Sequence, residues 1–186
     1  MGLLARAWPP EPGSATIADD GEEAMGRDSA DSLAVVVFRE DGVWQSGVLP
    51  ERVTDDLGGL IAVARQQPGE NGAVALVNVA DEFFVAVRVR GEEVRLLLSD
   101  VTAAVAWDLA RQVVDRLGIP APGEDDLEDV WPAGDLSIFG DLGLDEMELG
   151  AVLADLDAYA DEMLLAIALR LGFADVYDRA VEAAAP

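Results

Sequence analysis

The sequence predicts an α+β fold: a five-stranded, mostly antiparallel sheet with packed helices, followed by an acidic C-terminal helical hairpin. Three observations carry the prediction. Short runs rich in Val, Leu, Phe and Ala are separated by Gly, Pro and Asp turn signals between Leu33 and Leu98. Apolar residues switch to helical spacing at Leu57–Ala64, at Val101–Leu117 and again between Asp145 and Leu171. Half of the chain is hydrophobic (51% of 186 residues), which is enough to bury a real core.

Residues 1–31 are rich in Gly, Pro, Ala, Asp and Glu without a hydrophobic period, and are expected to be disordered. Met25 stands just before the first strand as a second candidate start. Leu33–Arg39 is a β-branched run ending at Glu40-Asp41-Gly42, a hairpin signal, and Val43–Leu49 is the return strand, stopped by Pro50. Thr54 or Asp55 is placed to cap a helix with Leu57, Leu60, Ile61 and Ala64 on one face, ended by Pro68-Gly69. Gly72–Val79 is almost wholly apolar, as expected of a strand buried on both faces. Phe83–Arg90 alternates, with Phe83, Val85, Val87 and Val89 facing one way and Phe84, Ala86, Arg88 and Arg90 the other. Val94–Leu98 follows the Gly91-Glu92 turn. Ser99 or Asp100 then caps a long helix with Val101, Val105, Leu109, Val113 and Leu117 on its apolar face, closed by Gly118.

The order β-β-α-β-β-β-α over residues 32–118 resembles the topology of Roadblock, longin and profilin-like modules, which serve mostly as interaction scaffolds. Residues 119–134 read as an acidic, Pro-containing linker. It carries Glu124, Asp125, Asp126, Glu128 and Asp129, with Val130-Trp131 as an apolar anchor. Residues 135–180 form the C-terminal helical module, and 181–186 a disordered tail. In the module, Asp145 caps a helix carrying Met147, Leu149, Val152, Leu153 and Leu156. A second helix begins at Asp161-Glu162 with Met163, Leu164, Ile167, Ala168 and Leu171, and Gly172 ends it. Met147, Leu149, Leu153, Met163, Leu164 and Ile167 are expected to be the core of the hairpin. Trp131, Ile138 and Phe139 are expected to pin it to the sheet.

Composition excludes several chemistries. The chain has no Cys and no His, so thiolate nucleophiles, disulfides, Ser-His-Asp triads and imidazole-ligated zinc are absent. Every basic residue is Arg, so there is no Schiff-base or P-loop lysine. A net charge of −25 argues against binding a nucleic-acid backbone and suits a basic protein partner. The charge is uneven. From Ser32 to Gly118 there are 13 acids and 8 arginines, but from Ile119 to Pro186 there are 17 acids and 2 arginines. Arg88, Arg90 and Arg95 form a strip on the sheet. Either the acidic C-terminal part folds back over it, or both are solvated faces with ordinary surface pairs; contact with RNA phosphates is a third, weaker reading.

Glu124–Asp129, or Asp141 with Asp145 and Glu146, are the carboxylate groups to weigh as acid–base pairs or as ligands for a divalent cation. Their spacing does not match an EF-hand loop, and dense exposed acids ordinarily stay solvated. No cofactor is expected. The run DLGLDEMEL resembles the acyl-carrier motif, but Glu146 occupies the place of the serine that takes the phosphopantetheine arm. The run therefore reads as helix-start chemistry, with an Asp N-cap and acids at the positive end of the helix.

The stretch from Gly134 to Phe173 contains DLGLDEMELG, the DLD-x-Y-x-DEML continuation and a terminal RLGF. With the β-rich half before it, it resembles the actinobacterial tRNA adenosine deaminase-associated proteins over roughly Ser32 to Ala180. The resemblance implies a non-catalytic partner of the enzyme that makes inosine at the tRNA wobble position; a cytoplasmic location is expected because no apolar run approaches the roughly 20 residues needed to span a bilayer. A zinc deaminase needs His and Cys ligands beside a catalytic Glu; this chain has neither ligand type and would act in trans. The candidate partner-binding residues are Asp145, Glu146, Glu148, Asp155, Asp157, Asp161 and Glu162. The alternative is an acidic scaffold or homodimer unrelated to tRNA, paired through an edge strand such as Val43–Leu49.

Overall fold

A computed structural model describes residues 32–123 and 130–185. The expected disorder of residues 1–31, the second start at Met25 and the acidic cluster Glu124–Asp129 lie outside the described residues.

One antiparallel sheet organises the protein. Its strands are β1 (Leu33–Glu40), β2 (Val43–Val48), β3 (Ala73–Val79), β4 (Phe83–Arg90), β5 (Glu93–Leu98) and β6 (Ala133–Gly134), in the spatial order β2-β1-β3-β4-β5-β6. The β1–β2 hairpin turns at Asp41-Gly42, both with positive φ (51° and 76°), as the Asp-Gly signal requires. The sheet has six strands rather than the expected five. The extra strand arises in the stretch read as a linker, where Ala133 and Gly134 pair with Leu98 and Leu97. Gly134 has φ 109°, and a Cβ there would run into the Leu96 carbonyl oxygen. Only glycine permits that approach. A two-residue strand has no hydrophobic period, so nothing in the local pattern announces it.

Alternation along the strands divides the buried residues between two faces. Val36, Ala75, Val77, Val85, Val87, Leu96 and Leu98 pack against α1 (Leu57–Arg65) and α2 (Asp108–Leu117). Val35, Val37, Val74, Leu76, Phe84, Ala86 and Leu97 pack against α3 (Glu146–Leu153), α4 (Ala160–Leu171) and α5 (Ala174–Ala184). The sheet is therefore the middle of three layers, and the second layer of helices contains three rather than a hairpin of two. The α5 helix extends past Ala180 into the stretch read as a tail. The Roadblock-, longin- or profilin-like topology gains no support from this six-stranded sheet covered on both faces.

The first helical layer follows its periodicity, with Leu57, Leu60, Ile61 and Ala64 buried. The residue preceding α1 is Asp56, not Thr54 or Asp55. Thr54 is buried and donates its hydroxyl to the Glu51 carbonyl at 2.7 Å. The single long helix expected from Ser99 to Leu117 is broken. Asp100 caps a 3-10 turn over Val101–Val105 through the Thr102 N–H, and the α-helix starts afresh at Asp108. Trp107 causes the break. Its extended backbone lets the indole pack edge-on against Phe83 (5.8 Å between ring centroids) and donate Nε1–H to Glu82 at 3.1 Å. Val105, counted on the apolar face, is consequently exposed. Gly118 closes α2 as expected.

Candidate functional site

The second helical layer is anchored by side chains that the sheet leaves waiting. Ile138 and Phe139 are fully buried against its second face, as expected, and Leu144, Leu149, Leu164 and Ile167 complete that core. Trp131 does not pin the layer with its ring, which lies at the surface; its carbonyl accepts from the Val101 N–H at 2.9 Å. At the β2 edge, Trp44 packs edge-on against Phe173 at 5.1 Å, and Phe173 against Tyr177 at 6.5 Å. Burial of Tyr177, with Asp161, Asp178 and Asp81 nearby, pushes its phenol well above the ordinary value.

The arginine strip resolves into a clasp. Arg88 stands on central strand β4 and is only 4% exposed, so it is neither an edge residue nor an RNA contact. Its guanidinium donates to the Ile138 carbonyl at 2.7 Å and bridges both carboxylate oxygens of Asp141, one at 2.7 Å. Arg90 reaches Asp141 at 3.4 Å, and Arg95 lies between Glu93 (2.8 Å) and Asp135 (3.7 Å). The Arg88 hydrogen bond holds the Asp141 carboxyl below its ordinary pKa, against a smaller opposing effect of desolvation. Of the two readings of charge asymmetry, the folding of the acidic part over the strip is therefore realised at Asp135 and Asp141. Among the described residues, the other acids of that part remain on the surface.

All seven candidate partner-binding acids are exposed. Four of them have local backbone roles, among them Asp161, which accepts from the Glu162 N–H at 2.8 Å. Asp145 accepts from the Glu148 N–H at 2.9 Å, as its N-cap position predicts. Glu162 accepts from the Tyr159 N–H at 2.9 Å and so caps α4. Asp155 accepts from the Asp157 N–H at 3.3 Å. Asp155, Asp157 and Glu162 also converge on a groove of about 470 Å³ between α3 and α4, floored by Ala151, Val152, Ala158, Met163 and Ala166, with Arg170 at one end. Asp145, Glu146, Glu148 and Asp161 do not line it. A second cavity of about 190 Å³ adjoins the groove, sharing Ala158 and Met163 and continuing past Leu156 to Val130, Asp100 and Glu82.

The apolar residues expected in the hairpin core divide sharply. Leu149, Leu153, Leu164 and Ile167 are buried and Met163 partly so. Met147 is 82% exposed, which corrects its assignment to the core; Leu156, read as part of the first helix, lies beyond the end of α3 at Leu153 and is 72% exposed. Tyr159 (68%) and Leu169 (64%) join them on the surface. Met147 sits one turn before Ala151, and Leu169 one turn after Ala166, so both stand beside the groove at helical spacing. Apolar periodicity marked these residues as a stripe but did not say which of two neighbouring stripes the sheet would cover.

Among the described residues, no group of three or more Asp or Glu is arranged to hold a metal ion, and no helix is long and apolar enough to cross a membrane. Asp141 and Asp145–Glu146, weighed as ligands or acid–base pairs, instead serve the arginine clasp and the start of α3.

Fold and surface together define an acidic, three-layer α+β protein with an exposed groove where carboxylates meet uncovered apolar side chains. The chain belongs to the Rv3753c-like tRNA adenosine deaminase-associated protein family, whose model matches residues 32–174. It is 41% identical over 150 residues to Protein Rv3753c of Mycobacterium tuberculosis (strain ATCC 25618 / H37Rv), covering 80% of this chain and 86% of that protein. No solved structure matches.

Proposed function

We propose that this chain is a non-catalytic accessory protein of the bacterial tRNA adenosine deaminase, acting by protein–protein binding in the cytoplasm. The observation that carries the reading is the α3–α4 surface, where large apolar side chains stand uncovered among carboxylates in a chain whose family is described as deaminase-associated. An enzyme that holds tRNA must present Lys and Arg to phosphates. An acidic surface complements such a partner, and uncovered apolar residues supply the area that charge alone does not. The chain has no His or Cys with which to build a deaminase zinc site of its own.

The test is co-purification of tagged protein with the host deaminase at low and high salt. The expected result is a complex that weakens as salt rises. Absence of association at every salt concentration sinks the reading. The triple variant D155R/D157R/D161R should stay folded and lose binding; undiminished binding would place the interface elsewhere.

A second reading, a homodimeric scaffold, is favoured by one observation. Strand β2 (VWQSGV) lies at the outer edge of the sheet without a charged or Pro residue to blunt it. Light scattering on the purified chain distinguishes a dimer from a monomer of 19.6 kDa.

A further inference from the structure

We infer that the α3–α4 groove takes one kind of occupant: a single amphipathic α-helix with an apolar face flanked by Arg or Lys. The inference rests on the reading of the chain as a binding protein and names the form its partner presents.

The walls decide the form. The long sides of the groove are α3 and α4, with the loop of Asp155, Asp157 and Ala158 joining them; within the two helices the N–H and C=O groups are satisfied internally away from the ends. An extended peptide laid there would find no strand edge to pair with and would leave its own backbone groups without protein partners. A helix brings its backbone already satisfied and needs only side-chain complementarity. The floor is suited to close approach, because Ala151, Ala158 and Ala166 are small and Met163 is the adaptable residue among them. The adjoining cavity shares Ala158 and Met163, so the two depressions neighbour one another on this surface.

The rim decides the charge. Asp155, Asp157 and Glu162 line the groove, and Asp100 and Glu82 line its continuation. Arg170 is the lining cation at the far end, and its guanidinium is held by a bond to the Ala166 carbonyl at 3.2 Å. Met147, Leu156, Tyr159 and Leu169 stand around the same surface, each more than 60% exposed. Apolar contact along the middle and cationic contact on the flanks is the pattern that this surface complements.

The probe is a synthetic peptide of about 18 residues with Leu at i, i+3, i+4 and i+7 and Arg on the flanking positions. One control has the same composition scrambled, and another has Glu in place of Arg. Binding to the full chain is read by fluorescence anisotropy, and the peptide's helix content by circular dichroism. The expected result is saturable one-to-one binding with gain of helix, about tenfold weaker for the scrambled peptide and absent for the Glu peptide. The groove variants A166R and D155R/D157R should each weaken binding about tenfold, and A62R on the opposite helical layer should not.

Equal binding of the scrambled peptide would overturn the inference, since charge alone would then suffice. Absence of peptide binding, or peptide binding unchanged in both groove variants, would overturn it as well. Deaminase co-purification run in parallel separates the two proposals. Peptide binding without co-purification removes the deaminase as partner and leaves the groove's specificity standing. Co-purification that survives both groove variants, with no peptide preference, removes the groove inference alone.

Discussion

The two helical layers cover the same sheet and treat their outer surfaces differently. The α1–α2 layer packs Leu57, Leu60, Ile61, Ala64, Leu109, Val113 and Val114 inward; Val105, in the turn before α2, is its exposed large apolar residue. The α3–α5 layer packs as deeply, with Phe139, Phe173, Leu149 and Leu164 almost wholly buried, yet leaves Met147, Leu156, Tyr159 and Leu169 outside. It is also the layer fastened by a charged clasp, from Arg88 to Asp141. The difference teaches that burying one apolar stripe does not explain the other. Exposed apolar groups ringed by carboxylates add nothing to the fold, and they are the residues on which the proposed binding surface rests.

The largest expected effect tests whether the layers share one cooperative unit. Phe139→Ala should cost about 3–5 kcal/mol in chemical denaturation, within a single transition. A two-step transition that leaves the sheet and the α1–α2 layer folded would break the comparison by making the second layer an appendage. Next comes the clasp. Asp141→Asn leaves the Arg88 cation buried without its counter-charge, and should cost about 3 kcal/mol, the low end for a broken buried pair, because Asp141 is 42% exposed to solvent.

The clasp also predicts a pH dependence. The folded pKa of Asp141 lies below its unfolded value of about 3.9, so the unfolded state binds the proton more readily. Its stabilisation is fully present above that unfolded value and is lost as pH falls through the depressed folded one. Urea titrations between about pH 5 and pH 2 should therefore show a steeper acid loss for the native chain than for D141N. Equal slopes would mean that the pair contributes no linkage.

The smallest effect sharpens the contrast within one helix. Leu149→Ala should cost about 2–5 kcal/mol, while Met147→Ala, two residues earlier, should stay within about 0.5 kcal/mol of the native chain. The same Met147→Ala variant should weaken capture of the deaminase. A large loss of stability for Met147→Ala would return that residue to the core.

Much of this was legible from local pattern. Phe83–Arg90 alternates with period two, and its two sets of side chains enter the two cores as the alternation requires. Asp145 stands before an apolar run and caps a helix; Asp41-Gly42 separates two strands and turns them. Those features depend on residues a few positions apart, whose steric and hydrogen-bonding preferences act within the segment itself.

Other features were decided only when distant segments met. Period two placed Arg88 on a face of β4, but its burial comes from Ile138 and Asp141, fifty or more positions along the chain. The sixth strand exists because Gly134 alone permits contact with the Leu96 carbonyl, and two residues have no period to read. Helical spacing identified apolar stripes on α3 and α4; the docking angle of those helices chose Leu149 for the core and left Met147 in the open. Local chemistry thus determined which elements form and which faces are apolar. The tertiary structure determined which apolar face is covered, because burial is a property of the pair of surfaces that meet and not of either one alone.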